Sequence, residues 1–163
     1  MKLEKPLHRL NSEEKEEIIR RIRKTLEKKS EVCFTYLFGS FAKHNLVRGI
    51  DVAIWVKRGI EPLEEAIKLS EDLERETRLP VDIVVLNDAP VTLRYNVFRE
   101  GKLILLRDEC RNTHDQALIM AILEYADLRE KYRVLSRPVK KTRLRLILGD
   151  AFGSRSRTQP STS

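Results

Sequence analysis

The chain has 163 residues, 41% of them apolar and 35% charged, which suits one domain with a real core and excludes a chain disordered throughout. The formal net charge is +7, but residues 137–163 hold seven Lys or Arg against one acid, Asp150, so residues 1–136 carry only +1. An argument from basic charge to nucleic acid therefore applies to the tail alone. No apolar stretch approaches membrane-spanning length, and the first 30 residues are charged and helical in pattern, unlike a secretory signal, so the cytoplasm is the expected location. The abundance of Lys, Arg and Glu fits a heat-adapted protein. Two cysteines, Cys33 and Cys110, give no disulfide framework, and Cys33 reads as a small core residue in an apolar run.

In chain order, a helix is expected from Ser12 as N-cap, with Glu13 and Glu14 at its positive end, Lys28 and Lys29 at its negative end, and Ile18, Ile19, Ile22 and Leu26 as its apolar stripe. Val32 to Phe38 reads as a buried strand ending at Gly39-Ser40, followed by a short helix or turn through His44. Ile50 to Val56 alternates, placing Ile50, Val52, Ile54 and Val56 on one face and Asp51, Ala53 and Trp55 on the other. Pro62 opens a helix to about Thr77, with Leu63, Ala66, Ile67, Ser70 and Leu73 inward. Pro80 precedes a third strand, Val81 to Leu86. Pro90 opens a further helix with Leu93, Val97 and Phe98 as its apolar face, and Gly101 ends it.

Lys102 to Leu106 reads as a short strand. A long helix follows from about Thr113 to Ser136, with Ala117, Leu118, Ala121, Ile122, Tyr125, Leu128 and Tyr132 inward. Pro138 ends that pattern. Residues 137–163 read as a basic, mobile tail, with residues 1–136 as the folded domain. The order of elements describes an α/β (α+β) layered domain, a small mixed sheet flanked by helices.

Two features carry chemistry. A strand that ends in Gly-Ser and runs into a helix presents backbone N–H groups and a hydroxyl to a phosphate. An Asp within an apolar strand costs several kcal/mol of desolvation unless it is paired or ligates a cation. Asp51 in Ile-Asp-Val and Asp82 in Val-Asp-Ile are two such residues. Adjacent strands would bring them together, and hard carboxylate oxygens suit Mg²⁺.

The ordered set Leu37-Phe38-Gly39-Ser40-Phe41-Ala42, Ile50-Asp51-Val52-Ala53-Ile54 and Val81-Asp82-Ile83-Val84 resembles the polymerase-β-type nucleotidyltransferases, and their minimal prokaryotic branch above all. Gly101-Lys102-Leu103-Ile104-Leu105 and Tyr125-Ala126-Asp127-Leu128 are similar to that branch as well, so the resemblance covers roughly residues 30–135. It implies a polymerase-β-like fold in which Gly39 and Ser40 hold the β/γ-phosphates of ATP. Asp51 would be the second carboxylate of an Asp-x-Asp pair and Asp82 the third carboxylate, together binding divalent metal for in-line transfer. It also implies a partner, a small HEPN-domain toxin whose tyrosine receives AMP, with this chain as antitoxin.

The chain departs from the family at one point. Two residues before Asp51, where the family has its first aspartate, stands Gly49, and only eight residues separate it from Ser40. Ser-Asp inserted between Gly49 and Ile50 would restore both the spacing and the carboxylate. Two readings therefore stay open: an adenylyltransferase, and an impaired relative that binds nucleotide or neutralises a partner by contact. A third uses the tail for RNA. Lys43 is a candidate phosphate ligand as well as a solvated helix lysine. Trp55 is a candidate pocket wall as well as a packing residue, and Tyr125 and Tyr132 read as packing residues. His44 follows Lys43 and reads as a solvated residue rather than a functional one, and His8 and His114 show no ligand-like partners nearby in the sequence.

Overall fold

The computed structural model describes residues 5–136. The described residues divide into two compact units, one ending at Tyr125 and one beginning at Ala126. The basic tail expected over 137–163 lies outside the described residues.

In chain order the elements are β1 (His8–Arg9), α1 (Ser12–Glu27), β2 (Val32–Phe38), α2 (Gly39–Lys43), β3 (Leu46–Val47), β4 (Ile50–Val56), α3 (Pro62–Thr77), β5 (Val81–Val85), α4 (Val91–Glu100), β6 (Lys102–Leu106) and α5 (Arg111–Ser136). The main sheet has the order β5-β4-β2-β6. β2 runs antiparallel to both β4 and β6, whereas β4 and β5 are parallel. A parallel pair needs a crossover, and α3 supplies it.

Both faces of the sheet are covered, and the alternation of β4 sorts its side chains between them. Ile50, Val52, Ile54 and Val56 pack with Ile19, Ile22 and Leu26 of α1 and Leu69 and Leu73 of α3. Ala53 and Trp55 face the other way, with Phe34, Tyr36, Leu86 and Val97. Trp55 stacks on Phe34 at 5.6 Å between ring centroids. It is a packing residue, and it also walls a cavity of about 810 Å³ beyond the end of β4, beside Lys57 and Arg94.

Several local expectations change. The N-cap of α1 is Asn11, one residue before Ser12. Its side chain accepts the Glu14 N–H at 2.8 Å, while the Glu14 carboxylate accepts the Asn11 N–H at 3.2 Å. This reciprocal box needs an acid three residues after the cap; Asn11 has one in Glu14, whereas Ser12 would find Lys15. α3 turns Glu65, Leu69, Leu73 and Thr77 inward. Leu63 and Ile67, expected inward, are 69% and 51% exposed. Burial, and Glu31 beside it, raise the pKa of Glu65, with Lys29 opposing. In α5 only His114, Ala117 and Ala121 are buried, and Ile122, Leu128 and Tyr132 are exposed. This helix carries apolar side chains around most of its circumference, so the sequence offers no single stripe to choose. In the second unit, the Lys131–Asp127 and Arg133–Glu130 pairs line its last turns.

The two cysteines are joined. Cys33 of β2 and Cys110, in the turn before α5, form a disulfide with Cα atoms 5.5 Å apart. β6 pairs with β2, and the Arg107 N–H then donates to the Cys33 carbonyl at 3.1 Å, which delivers Cys110 to the strand. A sequence separation of 77 residues gave no hint of this. Closing so long a loop restricts the unfolded chain, so reduction or Cys33→Ala/Cys110→Ala is expected to cost about 2–4 kcal/mol. Urea melts with and without a phosphine reductant measure it, and coincident curves would show that the bond contributes nothing.

Candidate functional site

The site forms where β2 ends. Phe38, its last residue, lies opposite Asp51 of β4, and Asp51 in turn lies abreast of Asp82 of β5. Antiparallel pairing on one side and parallel pairing on the other thus bring the Gly-Ser turn and both carboxylates to one end of the sheet, as the sequence leads one to expect.

Gly39 is required here for two reasons. Its φ is +71°, a left-handed conformation that costs other residues energy. A Cβ placed on it would also lie 2.2 Å from an Asp51 carboxylate oxygen. The carboxylate therefore sits against the bare backbone of the turn. Ser40 follows, half-buried, and its carbonyl accepts the His44 N–H at 2.7 Å, closing the short helix α2. Lys43 ion-pairs with Glu100, so it is engaged in a surface contact. His44 is exposed, and Lys15 donates to its carbonyl.

Asp51 is about half-buried and Asp82 is exposed. Burial first, and the Asp82 charge second, hold the pKa of Asp51 above the ordinary carboxylate value, with Lys5 opposing. Lys5 is a residue that sequence reasoning missed. Its ammonium stands 3.6 Å from an Asp82 oxygen. It lies in an irregular segment before β1, far from either carboxylate along the chain, and has no periodic or motif signal.

The position two before Asp51 is closed. A Cβ on Gly49 would lie 2.8 Å from the Pro80 carbonyl oxygen and 3.3 Å from the Pro80 Cβ. The same carbonyl accepts the Ile50 N–H at 2.8 Å, so moving it aside would break that bond. Among the described residues no group of three or more His, Cys, Asp or Glu is arranged to hold a metal ion. Two carboxylates fit one hard divalent ion whose other ligands come from water and phosphate. They do not fit two ions, whose mutual repulsion demands more negative ligands.

His114, which had no partner in the sequence, is buried in the core, with Nε2 2.6 Å from the Tyr36 hydroxyl. Tyr125 stacks on Tyr95 at 3.8 Å.

Residues 20–110, more than half of the chain, match the family model described as polymerase beta, nucleotidyltransferase. No curated protein matches. Among solved structures, one similar chain comes from the tri-AMPylated HEPN toxin of Shewanella oneidensis in complex with MNT antitoxin. It is 20% identical over 74% of this chain and 94% of its own, with a TM-score of 0.59. Another, from a toxin–antitoxin with AMP-PNP, is 22% identical over 72% and 94%, with a TM-score of 0.60. A third, from the toxin–antitoxin MntA–HepT, is 19% identical over 77% and 95%, with a TM-score of 0.54. At this level of identity the likeness establishes the fold.

Two substitutions test the geometry. Gly39→Ala is expected to cost about 1–2 kcal/mol for the left-handed backbone alone, and to push the Asp51 carboxylate aside. Denaturant titration together with calorimetric nucleotide titration checks both. Asp51→Asn tests the buried charge. A raised folded-state pKa means that the carboxyl contributes stability below its unfolded value and loses it as pH rises through the folded value. The variant should therefore melt higher than wild type near neutral pH without divalent ions, and the difference should shrink as the solution is acidified.

Proposed function

Since the chain belongs to the polymerase-β nucleotidyltransferase family, we propose that it transfers AMP from ATP to a hydroxyl, namely a tyrosine of a HEPN-type toxin, and acts as that toxin's antitoxin in the cytoplasm. The observation that carries the reading is the meeting of Gly39, Asp51 and Asp82 at one end of the sheet. Fold neighbours from a complex with a tri-AMPylated HEPN toxin, and from a toxin–antitoxin with AMP-PNP, support this choice of acceptor and nucleotide. A protein partner also suits α5, which leaves Ile119, Met120 and Leu123 exposed. Any contact with nucleic acid in this reading falls to the basic tail.

In this mechanism the bare backbone of Gly39 and the Ser40 hydroxyl and N–H receive the β- and γ-phosphates. Lys43 reaches a phosphate only by leaving Glu100. Asp51 and Asp82 would hold one Mg²⁺, which would supply positive charge against the triphosphate. Asp82, the more exposed carboxylate, takes the proton of the incoming hydroxyl. The acceptor oxygen bonds to the α-phosphorus as the bond to pyrophosphate breaks.

The closure at Gly49 favours a second reading, in which the chain neutralises its partner by contact and turns over slowly or not at all. Incubation with α-labelled ATP, Mg²⁺ and the toxin separates the two. Transfer of label to a toxin tyrosine supports the enzyme, and a tight complex without label supports contact. Inserting Ser-Asp between Gly49 and Ile50 lengthens the turn by two residues, so the new aspartate need not keep the path that holds Gly49 against Pro80. The insertion is expected to raise the transfer rate about 10²–10³-fold, the usual worth of one electrostatic catalytic group. Gly49→Asp is expected to destabilise the fold without that gain, because its Cβ meets the Pro80 carbonyl.

A further inference from the structure

We propose that Lys5 is a built-in cation for the Asp51–Asp82 pair: it supplies the positive charge that a divalent ion would bring, and an ion that binds Asp82 must displace it. The inference rests on the reading of these two carboxylates as metal ligands.

Three contacts place this lysine. Its ammonium is 3.6 Å from Asp82, on the strand next to Asp51. Its own carbonyl accepts from the Arg48 guanidinium at 2.7 Å. Downstream, β1 pairs with β3, His8 opposite Val47 and Arg9 opposite Leu46, and the Leu10 N–H donates to the Asn45 carbonyl at 2.8 Å. The segment is therefore sewn to the loop that connects α2 with β4.

Arg48 immediately precedes Gly49, the residue that stands in place of a carboxylate. The same turn thus lacks one negative ligand and grips the segment that delivers a positive one. Two abreast carboxylates, one of them half-buried, repel each other unless a cation lies between or beside them. Lys5 answers that need with a single charge, no coordination geometry and no ion taken from solution. With side chains 48% and 69% exposed, the contact is weak enough to be exchanged.

The test uses the full chain and Mn²⁺ as the probe, followed by water-proton relaxation. Lys5→Gln is expected to tighten Mn²⁺ binding about threefold to fivefold, the upper part of what an exposed ion pair is worth. Lys5→Arg should stay near wild type. Lys68→Gln, which removes an equal charge paired with Glu64, should change binding less than about twofold. The second readout is the rate at which a soluble active ester acylates the Lys5 amine, read by mass spectrometry.

Mn²⁺ should accelerate that acylation in wild type, and Asp82→Asn should be fast with or without Mn²⁺. If Mn²⁺ binds and Lys5 acylation is unchanged, the proposal is overturned while the metal reading of the carboxylates stands. If Lys5→Gln and Lys68→Gln shift the affinity equally, the effect is general charge and the proposal is again overturned. If neither wild type nor Lys5→Gln binds Mn²⁺, the metal reading itself fails and takes the proposal with it.

Discussion

The register of β4 against β5 is the constraint on which the site depends. It is fixed where the Ile50 N–H donates to the Pro80 carbonyl, just ahead of the paired strands. From that bond onward Asp51 must face Asp82. The same bond fixes the Pro80 carbonyl where it blocks a side chain at Gly49. One hydrogen bond thus both assembles the two carboxylates and excludes a third from the position two residues before Asp51. A slip of one residue would turn Asp51 toward the α1–α3 face, among Ile22, Leu26 and Leu69, where an unpaired charge is far more costly.

The electrostatics of the site follow from that arrangement. Gly39 brings the turn against the Asp51 carboxylate and takes water from it, and Asp82 adds like charge from the neighbouring strand. Both effects make the ionised pair unfavourable in the resting protein. A site that spends stability on charge it can discharge only against a cation is characteristic of function. The site assembles two carboxylates, and the Lys5 ammonium meets one of them at 3.6 Å.

Much of the framework was legible in the sequence because it rests on short-range rules. The alternation of Ile50 to Val56 gave both faces of β4, Pro62 opened α3, Gly101 closed α4, and Val32–Phe38 and Lys102–Leu106 were found with their observed ends. Asp51 and Asp82 stood out because a carboxylate in an apolar strand asks for a partner. The failures share another cause. In α3 the inward stripe runs through Glu65 and Leu69, because the position of the sheet, rather than hydrophobicity, decided which side faced in. In α5, apolar residues on several sides left the periodicity ambiguous. Two-residue strands such as β1 and β3 have no period at all, and the Cys33–Cys110 bond joins residues that only the β2–β6 pairing brings together.

The role of the N-terminal segment depends on the same distinction. Read along the chain, Lys5 is one cation among 32 Lys and Arg residues. Read in space, it is held from behind by Arg48, and it faces the two carboxylates that the β4–β5 register forces together. Asp51 and Asp82 coexist with a segment whose single cation offsets part of their charge and leaves Asp82 exposed. In the proposed reading that combination suits a site that takes a cation, and the turn at Gly49 then changes how charge is supplied.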